Sequence, residues 1–484
     1  MNHLFAKITT LVLLFVACLS SSHAKLPSEI AKSLRASGVP ESAMALYIRE
    51  VGREQPLVEH RAFQAMNPAS TMKIVTTLVA LDVLSPTYQW KTEFATVAPL
   101  QGDVLNGALS IRGSGDPKFT WEHLDVAVKE LRRQGIREIR GDLLLDRSRF
   151  APATYDAAAF DGQPLRPYNA PPDALLFNFK STGFKFSPQP SGEVIITTDG
   201  PAPDGLVIDN KLRTVPGACG DWRTRIGPNF EPATAPLSAG VSAPLRASFT
   251  GVYPSECGDR EWYLSLFDHS SLLAGTFARM WRDAGGVWVG AMREGVAAKG
   301  ARVLFTHVSA PLSTMVTDIN KFSNNVMARQ LLISFDAQLM ESPGRADRGG
   351  RAMREWAKLR GFDVPELIVE NGSGLSRKER ISAKGMAKFL EYGLTAPFAA
   401  DFVKSLPIAA TDGTLTRRFL EKAASGNAYL KTGTLTGVKA LAGYLQLPNS
   451  SRRFIFVAMV NHANADAAVV AIDRAVDWVY QSVK

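Results

Sequence analysis

The amino-acid sequence predicts a mixed α/β (α+β) fold in which the two ends of the chain share one sheet and a large β-rich block is inserted between them. Residues 43–51 and 57–60 predict a β-hairpin near the N-terminus. The C-terminal part predicts three strands and a last helix, at 428–434, 440–446, 454–461 and 465–483. The C-terminal strands and the last helix would pack back onto the first hairpin. One sheet would then contain both ends of the chain.

The inserted block is predicted from a change of pattern near residue 90. Short β-like runs there alternate with turns rich in Gly, Pro and Asp, at 91–97, 108–112, 139–145, 194–198 and 206–209. One helix interrupts these runs at 122–133, and the helical period returns at 273–283, 312–333, 346–360 and 383–394. We therefore expect an inserted domain at 91–261 and a main domain made of 25–90 and 262–484.

The composition excludes several classes of protein. Of the 484 residues, 46% are hydrophobic and 21% are charged, which is typical of a globular protein and excludes disordered and fibrous chains. The formal net charge is +9, but no nucleic-acid motif and no long basic run accompanies it, so binding of nucleic acid is not expected. The histidines form no HxxH or HExxH pattern, so no metal or other cofactor is predicted.

The N-terminus predicts secretion. Lys7 precedes an apolar run at 8–19 and then small or polar residues up to Ala24, which is the pattern of a signal peptide (1–24) cleaved after Ala24. The run is shorter than the ~20 residues that span a bilayer. Lipoprotein processing at Cys18 is an alternative, although Phe15 fits the pattern for it poorly.

Secretion changes the interpretation of the remaining cysteines. After Ala24 only Cys219 and Cys257 are left, and an even pair in an oxidising compartment favours a disulfide. Two isolated cysteines with no histidine pattern nearby do not make a metal site.

The first candidate for chemistry is the pair Ser70 and Lys73. Pro68 and the apolar run after Lys73 predict a helix start with Ser70 in its first turn. Residues three apart share a helical face, so the hydroxyl and the amine would point the same way. A helix N-terminus favours negative charge and apolar neighbours lower the lysine pKa, so the pair is a candidate nucleophile and base. The alternative is a capping serine with a solvated lysine one turn later.

A second polar group opens an otherwise apolar helical pattern at Ser323 and Asn325. Both side chains could simply cap that helix. A competing Ser-x-Asn match, Ser425 to Asn427, has the composition of a turn.

The third group is Lys431-Thr432-Gly433-Thr434, on a predicted strand. A glycine inside a strand often marks the close approach of a ligand or another backbone, and this group offers one positive charge and two hydroxyls. The alternative is an exposed edge strand with a bulge at Gly433.

Together, Ser-x-x-Lys, Ser-x-Asn and Lys-Thr-Gly in this order resemble the signature of the penicillin-recognising serine acyltransferases. Over nearly the whole chain after residue 24, the sequence is similar to the class C low-molecular-mass penicillin-binding proteins, which are serine-type D-alanyl-D-alanine carboxypeptidases and endopeptidases. Four further segments share the family's pattern, at 113–117, 141–146, 371–377 and 411–415. Two positions depart from it: Asn371, where the family usually has Asp, and Arg329, where it often has Glu. These departures put local contacts in doubt rather than the reaction class.

The resemblance implies a β-lactamase/transpeptidase-like domain, with an antiparallel sheet flanked by helices and a long insertion between the first two motifs. It also implies a periplasmic location, peptidoglycan peptides ending in D-Ala-D-Ala or D-Ala cross-links as substrates, and β-lactams as covalent inhibitors. The catalytic residues would be Ser70, Lys73, Ser323, Asn325 and Lys431, and the substrate would be bound by Thr432, Gly433 and Thr434.

Two substrate contacts follow from the resemblance alone. Asp146 and Arg377 match positions that bind the free end of a meso-diaminopimelate side chain in similar enzymes. The alternative is an Asp at a strand-end turn and a surface Arg.

Two other functions stay open at this level, a β-lactamase and a catalytically silent wall-binding protein. No Glu-x-x-x-Asn deacylation loop supports the β-lactamase, and the intact motifs argue against the silent protein. The balance between carboxypeptidase and endopeptidase activity, a loose membrane association and a homo-oligomer are left open as well.

Overall fold

The computed structural model describes residues 26–233 and 244–483. The predicted signal peptide and Cys18 lie outside these residues. Within them the α-helices are α1 Ser28–Ala36, α2 Met72–Leu84, α3 Trp121–Arg133, α4 His269–Asp283, α5 Leu312–Phe322, α6 Asn325–Leu339, α7 Ala346–Leu359, α8 Ala383–Thr395, α9 Ala399–Ser405 and α10 Val469–Ser482.

The strands of the first half are β1 Met44–Glu50, β2 Val58–His60, β3 Lys91–Thr96, β4 Leu100–Gln101, β5 Val104–Leu105, β6 Leu109–Gly113, β7 Glu138–Arg140, β8 Leu143–Asp146, β9 Thr182–Pro188, β10 Val194–Thr198 and β11 Leu206–Asn210. Those of the second half are β12 Arg213–Val215, β13 Ile226–Pro232, β14 Leu245–Pro254, β15 Arg260–Leu264, β16 Val287–Val289, β17 Met292–Glu294, β18 Arg302–Val308, β19 Ala428–Leu435, β20 Val438–Gln446 and β21 Arg453–Asn461.

Both ends of the chain form one antiparallel sheet, in the order β19-β20-β21-β1-β2, which confirms the predicted fold. Side chains alternate across it: Leu46 and Ile48 pack with α1 and α10 on one face, and Tyr47 packs with the helices of the other face. The result is a sheet with helices on both sides.

Helix α2 lies at the centre of the larger helical layer. Every residue from Met72 to Leu81 is buried, including Lys73, Thr76 and Thr77. A helix buried all round needs no polar face, which is why its sequence is an almost unbroken apolar run. Its N-terminus is thereby fixed against the sheet.

Among its described residues, the inserted block contains four small sheets, in the orders β17-β8-β6-β3-β18, β16-β7-β5-β4, β10-β9-β15 and β11-β14-β12, with β13 beside β14. The structure joins Cys219 to Cys257 in a disulfide within this block. Strands β16, β17 and β18 pair with β7, β8 and β3, and α4 packs in the same core. We therefore propose that the block extends to about residue 309 rather than 261; cooperative unfolding of an isolated 91–309 fragment would test this boundary.

Two predicted elements are wrong in detail. The helix expected at 312–333 is two helices, α5 and α6, because Ser323 adopts a left-handed conformation with φ 57° and ends the first. The strand expected at 139–145 is two strands in different sheets, β7 and β8. Gly141 lies between them, where a Cβ atom would come within 2.3 Å of the Gly107 carbonyl carbon.

Candidate active site

Ser70 and Lys73 lie at the beginning of the central helix. Ser70 is in the 3₁₀ turn Ala69–Thr71, which leads directly into α2. Lys73 is completely buried, and its Nζ lies 3.0 Å from Ser70 Oγ. The three-residue spacing therefore brings the hydroxyl and the amine into hydrogen-bonding distance, as expected for neighbours on one helical face.

Two more oxygen atoms hold the Lys73 amine. Nζ donates to Asn325 Oδ1 at 2.6 Å and to the Ser373 carbonyl at 2.5 Å. A neutral amine has two N–H groups and one lone pair. Nζ donates to Ser70 Oγ when the amine is charged; in the neutral amine, with both N–H groups taken by the other two acceptors, the lone pair would face Ser70 Oγ and could accept its proton.

Burial makes this neutral state accessible. It lowers the pKa of Lys73 well below the ordinary 10.5, because the charged amine is poorly solvated. The positive charges of Lys431 and Arg329 lower this pKa further, and Glu379 raises it. An amine of this kind can act as a base at moderate pH.

Ser323 lies opposite, at the break between two helices. Its left-handed backbone ends α5, and the Asn324 side chain then caps α6 by accepting the N–H of Met327 at 3.0 Å. This break turns the Ser323 hydroxyl toward Lys431, whose Nζ donates to Ser323 Oγ at 2.9 Å. Lys431 is fully buried on β19, and burial lowers its pKa to about 7.

The edge strand β19 forms one wall of a cleft of about 420 Å³. A Cβ atom on Gly433 would lie 2.6 Å from the Pro68 carbonyl oxygen, so this glycine lets the strand pack directly on the Ser70 turn. Residues from all three motifs line the cleft together with neighbouring loops and helix α10: Ser70, Ser323, Thr414, Arg418, Thr432, Gly433, Thr434, Lys439, Ala440, Val469 and Ile472. Lys73 contacts the lining residue Ser70, Lys431 contacts the lining residue Ser323, and Asn325 contacts Lys73.

The arrangement of a serine, a buried lysine and a second serine–lysine pair around one cleft is suited to acyl transfer. Comparison with protein families agrees, since residues 26–482 match the D-Ala-D-Ala carboxypeptidase 3 (S13) family. The chain belongs to this family.

Individual relatives support the same assignment. The chain is 31% identical over 431 residues to a D-alanyl-D-alanine carboxypeptidase of Actinomadura sp. (strain R39), covering 84% of this chain and 76% of the relative. It is 25% identical over 448 residues to D-alanyl-D-alanine carboxypeptidase DacB of Haemophilus influenzae, covering 87% and 86%.

The fold is shared with penicillin binding protein 4 (dacB) from Haemophilus influenzae, with a TM-score of 0.77, 22% identity and coverage of 94% of this chain and 98% of the other. Another structure of that protein, complexed with a novel β-lactam, matches with a TM-score of 0.72, 22% identity and the same coverage. These matches confirm the β-lactamase/transpeptidase-like domain with an inserted block.

In this S13-family chain, sequence reasoning missed the contribution of the turn at 371–376. Its Ser373 carbonyl accepts from Lys73, and a Cβ atom on Gly374 would lie only 1.9 Å from the Ala69 carbonyl oxygen. Asn67 ties the two segments together, because its Oδ1 accepts the Ala69 N–H at 2.9 Å and its Nδ2 donates to the Ser376 carbonyl at 2.8 Å. Two positive-φ glycines in an Asn-Gly-Ser-Gly sequence are the only local signal of this packing.

Two basic residues of the cleft were also missed. Arg418 pairs with Asp473 of α10, and Lys439 Nζ lies 2.6 Å from Asp466 and 3.4 Å from Thr434 Oγ1. They come from separate segments that only the tertiary fold brings together, so no sequence pattern indicated them.

Asp146 is not among the residues that line this cleft. It is 1% exposed, and its carboxylate accepts the N–H groups of Ser148 at 3.0 Å and Ala297 at 2.8 Å. Both oxygens are engaged at the end of β8, and the substrate contact of Asp146 stays a prediction, with the strand-end turn as its alternative.

Arg377 is closer to the cleft. It donates to the Thr436 carbonyl at 2.9 Å, just beyond β19, and its guanidinium lies 5.0 Å from the centre of the Phe160 ring. It therefore lies beside the strand that lines the cleft, where its substrate contact stays a prediction.

In the part of the chain that the structure describes, no cluster of three or more His, Cys, Asp or Glu side chains has the arrangement of a metal site. In the same residues, no helix combines the length and the apolar character needed to cross a membrane.

Proposed function

We propose that this protein hydrolyses the D-Ala-D-Ala bond of peptidoglycan stem peptides, or the equivalent D-Ala cross-link, through an acyl-enzyme on Ser70. The observation that carries the proposal is the contact between Ser70 Oγ and the buried Lys73 amine at the wall of the cleft. Membership of the S13 family and the names of its relatives support the substrate class.

In the acylation step, Ser70 Oγ attacks the carbonyl carbon of the penultimate D-Ala while its proton passes to Lys73 Nζ. The C–N bond then breaks as Ser323 gives its proton to the leaving amine and takes up the proton that Lys73 received from Ser70, so both groups return to their starting protonation states. Ser323 is suited to this because its oxygen already accepts a hydrogen bond from Lys431. Asn325 keeps the Lys73 amine in place through the 2.6 Å contact.

The charge that develops on the carbonyl oxygen needs hydrogen-bond donors. The backbone N–H groups of Ser70 and Thr434 are suited to this role, because the missing side chain at Gly433 brings β19 against the Ser70 turn. One such donor is typically worth about 3 kcal/mol of activation free energy. Water then hydrolyses the acyl-enzyme and restores Ser70.

The substrate carboxylate would bind at the hydroxyls of Thr432 and Thr434. Thr414 Oγ1 lies 2.9 Å from Thr432 Oγ1, and Lys439 adds a positive charge next to Thr434. A β-lactam presents a carboxylate and a reactive carbonyl in the same way, so we expect it to acylate Ser70. The predicted signal peptide would place this reaction in the periplasm.

The release of D-Ala from an acylated tripeptide ending in D-Ala-D-Ala tests the proposal. Wild-type protein should release D-Ala, whereas Ser70→Ala and Ser323→Ala should reduce release by at least ~100-fold. Ser425→Ala is the matched control, because Ser425 begins the competing Ser-x-Asn sequence and lies in a turn. Equal release by wild type and Ser70→Ala would refute the proposal, and rapid turnover of nitrocefin would indicate a β-lactamase.

A further inference from the structure

A completely buried carboxylate, Glu379, lies behind the cleft, and the mechanism above does not use it. Its Oε1 accepts three consecutive backbone N–H groups, from Glu370 at 3.1 Å, Asn371 at 3.0 Å and Gly372 at 2.9 Å. Its Oε2 is also buried and has no hydrogen-bond partner among the described residues. Burying a carboxylate is costly, so a group held in this way calls for a role.

The turn that Glu379 holds is the one that contacts Lys73. The Gly372 carbonyl accepts from Thr76 Oγ1 at 2.6 Å, and the next carbonyl, of Ser373, accepts from Lys73 Nζ. Glu379 is therefore connected to the amine through a single short turn. A displacement of its carboxylate would displace the oxygen that orients the amine.

Glu379 also affects the amine by its charge. Of the ionised groups that act on Lys73, Lys431 and Arg329 are cations, and Glu379 is the acid that opposes them. Arg329 is 2% exposed, donates to the Tyr168 carbonyl at 2.7 Å, and is itself stabilised by Glu379. Both positions at which the sequence departs from the family pattern interact with this carboxylate. Arg329 interacts with it electrostatically, and the N–H of Asn371 donates to it.

Two further titratable groups adjoin this cluster: Tyr155, whose ring lies 5.7 Å from the Arg329 guanidinium, and Glu370, whose carboxylate accepts from Ser376 and Lys378. Burial raises the pKa of Glu379, whereas its three backbone donors and Lys73 oppose the rise. Removing the charge of Glu379 thus removes an acid that favours protonated Lys73.

We propose that Glu379 is a positioning residue for the acylation of Ser70: it fixes the turn that presents the Ser373 carbonyl to Lys73, and it provides the negative charge that stabilises the lysine ammonium formed when the Ser70 proton is transferred. This inference rests on the proposed acyl-enzyme function. Burial favours neutral Lys73 before the proton transfer, and the charge of Glu379 stabilises the ammonium of Lys73 after it. No bond to Glu379 is made or broken.

The test is the pH dependence of the acylation rate constant with a fluorescent penicillin, for wild type, Glu379→Gln and Glu370→Gln. Glu379→Gln keeps an oxygen for the three N–H groups but loses the charge. The acid limb of its pH–rate profile should move to lower pH by about one unit, because Lys73 stays neutral down to a lower pH. Its plateau should fall roughly tenfold, because the ammonium is less stable. Glu370→Gln, in the same turn, should match wild type.

A merely structural role would lower the plateau or the melting temperature without moving the acid limb, and that result would overturn the proposal. If Glu379→Gln does not fold, Glu379→Asp is the test variant, because it keeps the charge on a shorter side chain. The acid limb of its pH–rate profile should stay near that of wild type, while the plateau rate falls. A limb of Glu379→Asp shifted down by a full unit would overturn the proposal too. Failure of the proposed function is distinct, because wild type itself would then give no Ser70 adduct.

Discussion

Replacing Gly374 by alanine would force apart the two backbone segments that shape the nucleophile. The new Cβ atom would lie 1.9 Å from the Ala69 carbonyl oxygen and 2.7 Å from the Ser70 nitrogen. Atoms of this kind pack at about 3.5 Å, so the segments would have to separate by roughly 1.5 Å. The Ser70 nitrogen is one of the two proposed oxyanion donors, and a misplacement of about 1 Å costs on the order of 100-fold in rate.

The same substitution should also destabilise the fold. Gly374 has φ 80°, and an alanine in the left-handed region costs about 1–2 kcal/mol. Overpacking adds about 1–3 kcal/mol, so the free energy of unfolding should fall by roughly 2–5 kcal/mol. Gly52→Ala is the matched control: Gly52 has φ 82°, but its Cβ atom would meet nothing within 4 Å.

The assay is the time course of penicillin acylation followed by intact-mass spectrometry, with thermal unfolding of the same samples. We expect Gly374→Ala to lose about 100-fold in acylation rate and Gly52→Ala to lose none. If Gly374→Ala acylates within about threefold of wild type, the close packing of this turn on the Ser70 backbone does not position the nucleophile.

Three further predictions concern other parts of the protein. Acylation should slow as the pH is lowered, because Lys73 must be neutral to take the Ser70 proton and its pKa, although depressed, is crossed on acidification; a rate that rises toward acid pH would contradict this. Lys431→Met should slow acylation by roughly 100-fold because Ser323 loses its donor, and an unchanged rate would exclude that role. Replacing Cys219 and Cys257 by alanine should lower the stability of the inserted block by about 4 kcal/mol for a separation of 38 residues, yet leave acylation at room temperature unaltered; unchanged melting would show that the disulfide does not stabilise the block.

Much of the fold could be predicted because local signals and tertiary structure agree. The apolar run after Lys73 predicts a buried helix, and the alternation around Tyr47 fits a strand with two covered faces. The break at Ser323 could not be predicted, because a left-handed serine leaves the helical period on both sides intact. The boundary that we propose for the inserted block has no local signal in the sequence, because β16, β17 and β18 join the block only through pairing with distant strands.

The candidate site shows the same division. Ser70, Ser323 and Lys431 stand in recognisable patterns, so the sequence alone singled them out. Glu379 carries no such pattern, since its importance comes from three backbone N–H groups and a lysine far away in the sequence. The role of Asp146 stays a prediction, because a strand-end position does not reveal whether a carboxylate binds a substrate or only caps a turn.

The most direct test of the central claim is the intact mass of purified protein after incubation with a fluorescent penicillin, with Ser70→Ala alongside. We predict one long-lived adduct per chain, mapped by peptide analysis to Ser70 and missing from the variant. An adduct on another residue, an equal adduct on Ser70→Ala, or no adduct on wild type would contradict this prediction.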